Sequence, residues 1–494
     1  MRNADVAVVG AGFGGLATAL RLAELGADVV LCETLRYPGG CASTFTRSGY
    51  QFEAGATLFS GLREGQLFGD WNRKWSLGLQ FETLDPIVEL RTDLWSLAIP
   101  PDPEEFLERF SKLPGADPIS VRRFFGTQRE VANALWRLFD DPSLLPPLTG
   151  TSILRHLART PSYTPVLRWI RRSLGDVVAH HRLHDWEPLL IYLDAVSQIT
   201  VQAKASDAEA PFAMAAVDYF FRGTGHVHGG IGQLAWALVD AIQRAGGRVS
   251  LANRVKGIHR DGNLWRLETR KGDIHARNVV ANMLPHTLAK MVTPPLNGSL
   301  HDVERAVEDG WGAAMLYFAV DADAPDREAA HHLQLVNQRE ARFQEGNHVF
   351  CSISSAKETD RAPDRQRTVT ASTHVPMSKL LGMSPEEQAQ YVSEIQECMR
   401  ETIRKRAGGL WDGLRFEATA SPRTFERFTG RHLGYVGGVP RRVGLRHYRP
   451  RALFPREAER GLYAVGDSVL LGQSTLAVAL GGVRTAEAIA KRDT

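Results

Sequence analysis

Three glycines at fixed spacing, Gly10, Gly12 and Gly15, followed by an acid at Glu33, are the residues whose types and spacing most directly imply chemistry. A G-x-G-x-x-G turn brings backbone up to a pyrophosphate. Gly10 permits the tight turn, Gly12 has no Cβ to hold a phosphate away, and Gly15 lets the next helix pack close to the preceding strand. Glu33 follows about twenty residues later, where a carboxylate accepts from ribose hydroxyls and disfavours a 2′-phosphate, hence NADP. The alternative for the glycines alone is an ordinary glycine-rich turn. Arg36-x-x-Gly39-Gly40 comes next. It offers a guanidinium for phosphate and a glycine pair for close backbone approach, or else a surface loop with a solvated arginine. Far along the chain, Gly466-Asp467 ends an apolar run, and a loop through Gly472 leads to Ser474, Thr475 and Leu476. There Asp467 suits a polyol or phosphate, and the helix-start N–H groups suit an electron-rich ring edge. The plainer reading is that Asp467 caps the turn. Candidate proton handlers are His226 and His228, in a glycine-rich turn, and Glu426. Both histidines could instead serve only that turn's hydrogen bonds. Arg423 and Arg427 could seat an anionic substrate or simply stand on the surface.

The elements that must position these residues follow from periodicity. Val6–Val9 reads as a buried parallel strand, Leu16, Leu20 and Ala23 as a helix face stopped at Gly26, and Val29–Leu31 as a second strand. Between about Trp71 and Ala210 the glycine motifs stop and amphipathic patterns take over, including PDPEEFLERFSKL and Val121–Phe139, so a helical insertion is expected. Leu167–Gly175 mixes Trp169 and Ile170 with arginines. It suits an interfacial membrane helix or a helix with a solvated basic edge. The turn Gly223–Gly232 then precedes a helix carrying Leu234, Leu238 and Ile242, and strands are expected at Val249–Leu251, at Val255 and Ile258, and at Val279–Ala281. The last of these returns to the opening sheet. Residues 293–430 read as a mixed sheet backed by helices, with one helix over Pro385–Arg406. A strand at Leu462–Val465 and a helix from Ser474 to Lys491 close the chain.

A chain of 494 residues has room for about two or three domains. Its net charge of +3, without a long Lys/Arg block, gives no reason to expect nucleic acid. Cys32, Cys41, Cys351 and Cys398 are too scattered for a disulfide framework, and without a C-x-x-C no metal site is expected. No signal peptide is visible, and no apolar run approaches the ~18–20 residues of a spanning helix, so the expected location is the cytoplasm, with peripheral membrane contact at most. No oligomeric state is implied.

Taken in order, GAGFGGL, Glu33, Arg36-x-x-Gly39-Gly40, GHVHGGIGQLAWAL, VVANMLPH, SPRTFERFTG and YAVGDSVLLGQSTLAVALGGV resemble the FAD-dependent phytoene desaturase and carotenoid isomerase family, within the flavin amine-oxidase-like superfamily. The resemblance implies an α/β protein. A Rossmann-like FAD-binding domain of amine-oxidase type would come from residues 1–70, 216–292 and 431–494, and a discontinuous α+β substrate domain with its helical insertion from 71–215 and 293–430. It implies FAD held by Gly10, Gly12, Gly14, Gly15, Glu33, Thr34, Arg36, Gly39, Gly40, Cys41, Ala42, Gly55, Ala56, Val255, Asn282, Gly466, Asp467, Ser474, Thr475 and Leu476. The expected substrate is a small apolar or amphipathic molecule, and the expected reaction is dehydrogenation of a polyene C–C bond. Rival readings are a redox-neutral cis–trans isomerase, an oxidase or dehydrogenase of an amine or natural-product intermediate, and a catalytically silent flavoprotein. The GQSTLAVALGGV segment lacks the proline that bacterial desaturases tend to carry there and looks closer to the isomerases. GHVHGG replaces a less histidine-rich turn.

Overall fold

Val6, Ala7, Val8 and Val9 are all buried, as the middle of a parallel sheet requires. In the computed structural model, which describes residues 2–324 and 330–493, the strand Arg2–Val9 pairs in parallel with Val29–Cys32 on one side and Ile274–Asn282 on the other. Arg248–Ser250 extends the parallel core beyond Val29–Cys32, and Leu462–Val465 pairs with the second half of Ile274–Asn282. An antiparallel extension runs through Leu264–Thr269 to Val255–Asp261. Three remote stretches of chain therefore share one sheet. Their strands run the same way, so Gly10, Glu33, Asn282 and Gly466 come to one edge. In an open parallel sheet this carboxyl edge is where ligands bind.

Two close approaches set this edge. Gly10 has φ +96°, a conformation that side chains disfavour, and a Cβ at Gly15 would overlap the Gly10 carbonyl oxygen. The helix Phe13–Glu24 thereby lies directly against the sheet. The closing helix Thr475–Asp493 packs on it, with Gly482 against the Gly14 carbonyl and Arg21 paired to Glu487 at 3.0 Å.

A second sheet has the spatial order Leu414–Ala420, Trp311–Asp321, Gln366–Pro376, His348–Ile353, His332–Val336, Val88–Arg91, Ser96–Ile99. The last two strands correct the expectation of a purely helical stretch between Trp71 and Ala210. They are only four residues each, too short for a periodic signal of their own. A two-residue strand, Phe81–Glu82, lies there too, and from Pro103 onward the regular elements of that stretch are helical. Pro103–Phe110 is capped by Asp102, and Phe106, Phe110, Phe125 and Tyr192 form its aromatic core. Leu167–Gly175 is not one helix. Helix Thr160–Trp169 stops, Arg171 turns through φ +64°, and Ser173 caps a new helix at Leu174. Trp169 is buried, so it takes no part in an exposed face of this stretch.

The hairpin Thr44–Arg47/Tyr50–Glu53 joins the two sheets through buried charge. Arg361 lies 3.1 Å from Glu53 and 3.7 Å from Glu358, and His226 lies 2.9 Å from Glu358. Burial pushes the Glu358 carboxyl up, but His226, Arg361 and the Ser355 N–H more than offset it and hold the group at about 2. Nearby, burial lowers His331 well below its ordinary range and His332 to about 3, and it lowers His348 to about 3 as well.

These histidines fold neutral but unfold with a pKa near 6.5. The sign follows: their contribution is complete above 6.5 and falls away as pH drops toward 3. The Glu358 contribution is complete above 4.5 and falls away only toward 2. Acid destabilisation is expected to begin below pH 6.5, ahead of the carboxylates, at about 2 kcal/mol per buried histidine by about pH 5. Thermal melts between neutral pH and about pH 5 check this. Tm should fall in that window, and His348→Gln should flatten the fall; a Tm constant across it contradicts the assignment.

Candidate functional site

A cavity of about 1580 Å³ opens along the carboxyl edge of the parallel sheet. Ordinary ligand sites span ~300–1,000 Å³, so this space accommodates an extended cofactor together with a substrate. Every expected cofactor residue except Gly15, Arg36 and Leu476 lines it. Gly15 sits behind the turn, where it allows the helix–strand approach. Arg36 is exposed and lies outside the lining. The Leu476 side chain packs inward, against the Gly61 backbone.

At one end the glycine turn wraps Asn282. A Cβ at Gly12 would lie 2.5 Å from Asn282 Nδ2, and one at Gly14 would lie 2.8 Å from Oδ1. Gly12 has no side chain to cap the helix Phe13–Glu24, and Gly12, Phe13 and Gly14 line the cavity. This is the arrangement in which a helix N-terminus receives a phosphate. Glu33 Oε2 accepts from the Ala11 N–H at 2.7 Å and Oε1 from the Leu35 N–H at 2.8 Å, which fixes the carboxylate beside the turn. Burial raises its pKa against the pull of those N–H groups. Val255 adds an apolar wall. The residues fit a dinucleotide: uncapped helix-start N–H groups on the cavity wall for a phosphate, and a half-buried acid for a ribose.

At the other end Asp467 pairs with Arg431 at 2.9 Å, and Arg431 also donates to the Tyr435 carbonyl. Burial opposes the charge on Arg431, yet Asp467 and the Cys41 thiol hold its pKa above the ordinary value. Burial in turn pushes the Cys41 thiol up. The closing helix begins here at Thr475, with the Ser474 hydroxyl accepting from the Ala477 N–H at 3.1 Å.

Beyond this end the walls become apolar. Helices Pro118–Asp140, Thr160–Trp169 and Ala210–Val217 supply Leu135, Trp136, Phe139, Val166, Phe212 and Ala215. Strand Gln366–Pro376 adds Ser372 and His374, two apart and therefore on one face. His374 is lowered to about 4 by burial, and its ring meets Trp311 edge-on at 5.0 Å.

Of the expected proton handlers, Glu426 lines the cavity but is exposed, and its carboxylate accepts from the Leu433 N–H at 3.0 Å. His226 and His228 do not line it. His226 is locked into the buried charge cluster, and His228 lies 3.4 Å from Glu82. The reason is topological: their turn pairs with Phe81–Glu82 and so faces the hairpin joint rather than the sheet edge. Arg423 and Arg427 are exposed. Three cavity residues escaped the sequence reading. Arg431 stands one residue beyond the SPRTFERFTG motif, His374 is marked only by alternation with Ser372, and Arg441 lies in a loop without a motif.

Comparison with known proteins bears on this geometry. The family model described as flavin containing amine oxidoreductase matches residues 13–489. Prolycopene isomerase 2, chloroplastic, of an Oncidium hybrid cultivar is 26% identical over 520 residues, covering 98% of this chain and 84% of that one. All-trans-retinol 13,14-reductase of Homo sapiens is 26% identical over 304 residues, covering 56% and 47%. Among solved structures, wild-type putrescine oxidase bound to putrescine superposes with a TM-score of 0.65 at 15% identity, covering 99% of each chain.

Gly12→Val forces the turn away from Asn282, because its Cβ would lie 2.5 Å from Nδ2. It is expected to leave the far-ultraviolet circular dichroism unchanged while weakening FAD binding at least about tenfold. Reconstitution of the apoprotein followed by flavin fluorescence measures this, and wild-type affinity in the variant contradicts the cradle.

Proposed function

From the premise that the chain belongs to the flavin-containing amine oxidoreductase family and is an FAD-dependent oxidoreductase, we propose that it acts on C–C bonds of a long, largely apolar polyene. The observation that carries this reading is the helix-walled chamber continuous with the cofactor cradle. The full-length similarity to prolycopene isomerases and the partial similarity to retinol reductases support it. When bound, FAD supplies a hydride acceptor or donor. The chain's own residues do the rest. Leu135, Trp136, Phe139 and Val166 align an apolar chain and exclude water, the glycine turn and Glu33 hold the adenosine half, and the Arg431–Asp467 pair orders the opposite end.

Dehydrogenation takes a hydride and a proton from adjacent carbons, so it needs a proton acceptor. Glu426 or solvent at the open side can serve. A second reading, redox-neutral cis–trans isomerisation, is favoured by the full-length similarity to prolycopene isomerases. Isomerisation has no net proton to place. Anaerobic spectra separate the readings. Bleaching of oxidised flavin by added polyene is expected for dehydrogenation, and turnover only after prior reduction, without net reoxidation, for isomerisation. In air, hydrogen peroxide formed by oxidation of an amine with dioxygen, with no response to a polyene, overturns both.

No helix among the described residues is long and apolar enough to cross a membrane. The supply of an apolar substrate is nevertheless consistent with a membrane surface. Helices Gly150–Ala158 and Thr160–Trp169 carry exposed Ile153, Leu154, Leu157 and Leu167, and Leu148 and Leu167 also line the cavity. Arg155, Arg168, Arg171 and Arg172 are exposed beside them. This arrangement suits monotopic docking on anionic lipid with the chamber mouth at the bilayer. Co-sedimentation with anionic liposomes is expected, and serine at Leu154, Leu157 and Leu167 together should reduce the bound fraction at least about fivefold. Equal sedimentation of variant and parent removes this surface from the proposal.

A further inference from the structure

Arg441 lies in the cavity wall, at the junction between the cofactor end and the apolar chamber. Its backbone is fixed: its N–H donates to the Val201 carbonyl, and its carbonyl accepts from the Glu209 N–H. The guanidinium carbon sits 5.0 Å from the centroid of the Phe212 ring, and a Cβ at Gly472 would overlap Nη2. Nη1 is 3.2 Å from His447 Nδ1. His447 Nε2 is 2.9 Å from the Arg442 carbonyl, so Nε2 carries the proton and Nδ1 accepts from the arginine. Burial and the neighbouring guanidinium keep that imidazole neutral, with a pKa near 3.

Among the described residues no carboxylate pairs with this arginine. Three other enclosed arginines differ. Arg431 has Asp467, Arg361 has Glu53, and Arg484 has Glu487. Burial lowers the Arg441 pKa to about 10, and the nearby Arg446 charge adds to the effect. A desolvated cation without a counter-charge is costly. One N–H of the fork is spent on His447, which leaves further donors for a ligand.

Resting on the reading of the chamber as a polyene site, we propose that the substrate is amphipathic and ends in a carboxylate, and that Arg441 binds this carboxylate. The planar fork matches two carboxylate oxygens at once. The neutral His447 and the Phe212 face hold it in place without consuming its charge. A pure hydrocarbon would leave the arginine as bare as it is without ligand. Arg441 is thus a specificity residue: it chooses among polyenes of similar length by their end group.

The test uses the FAD-loaded protein and three matched polyenes of retinoid length, ending in a carboxylate, an alcohol or a methyl group. Binding is read from quenching of tryptophan fluorescence and from perturbation of the flavin spectrum, independently of turnover. The carboxylate is expected to bind at least about tenfold more tightly than the other two. In Arg441→Gln the ratio should fall to about one, and Arg441→Lys should keep part of it. Equal binding of the three overturns the carboxylate claim and leaves the polyene reading standing. Binding of none overturns that reading and the claim with it. Loss of FAD from Arg441→Gln at wild-type fold content assigns the arginine to the cofactor and also overturns the claim.

Discussion

Everything in the cofactor end depends on how closely the backbone after the first strand can approach Asn282. The Asn282 carbonyl stands 2.8 Å from where a Cβ of residue 10 would be, and its amide fills the hollow of the turn beneath Gly12 and Gly14. A Cβ at Gly14 would lie 3.3 Å from the Gly466 amide nitrogen. Thus one packed point, free of side chains on one side, ties together three stretches separated by hundreds of residues. Glu33 is tied to the same point, because its carboxylate accepts from the Ala11 N–H inside the turn. The position of Glu33 relative to the start of helix Phe13–Glu24 is therefore not left to a flexible loop. It is set by a hydrogen bond within the turn.

This dependence explains which parts were legible from residues alone. Gly10, Gly12, Gly15 and Glu33 carry local geometry in their types and spacing, so strand, turn, helix and acid could be read in order. The strand Leu462–Val465 and the helix Pro385–Arg406 appear at the expected bounds, since each has a strong period and a clear stop. The two short strands Val88–Arg91 and Ser96–Ile99 were not legible. Val88–Arg91 is placed by pairing with His332–Val336, more than two hundred residues away, and Ser96–Ile99 joins the sheet only through Val88–Arg91. His374 and Arg441 were missed for a similar reason: nothing near them in sequence says that an alternating strand face or a plain loop will border a cavity.

His226 illustrates the opposite error. A histidine in a glycine-rich turn has the right chemistry for proton transfer, but chemistry does not determine which way a turn faces. Here it faces the hairpin that couples the two sheets. Glu53 accepts from the Thr44 hydroxyl, Thr44 accepts from the Gly232 N–H, and Glu358 accepts from the Gly229 N–H. The charges pair with one another and with the surrounding backbone, and the cluster links the hairpin to both sheets. Such a network is stabilising only while every member is paired, since a buried ion that loses its partner keeps the desolvation cost.

The separation of labour between the two ends has a consequence for specificity. The glycine turn, Asn282, Glu33 and Asp467 all belong to the parallel sheet or to the segments leaving its edge, and they can hold the same cofactor whatever is bound beyond it. The chamber walls come from other elements, chiefly helices Pro118–Asp140, Thr160–Trp169 and Ala210–Val217. Changes in those helices alter length, width and polarity of the substrate space without touching a single cradle contact. A fold organised in this way can serve amines in one protein and polyenes in another. What must stay constant is the junction, where the loop carrying Arg441 lies against the Val201–Glu209 backbone on one side and Gly472 on the other. At that junction cradle and chamber share a wall, so a residue there can act on the end group of a long substrate without altering the glycine turn.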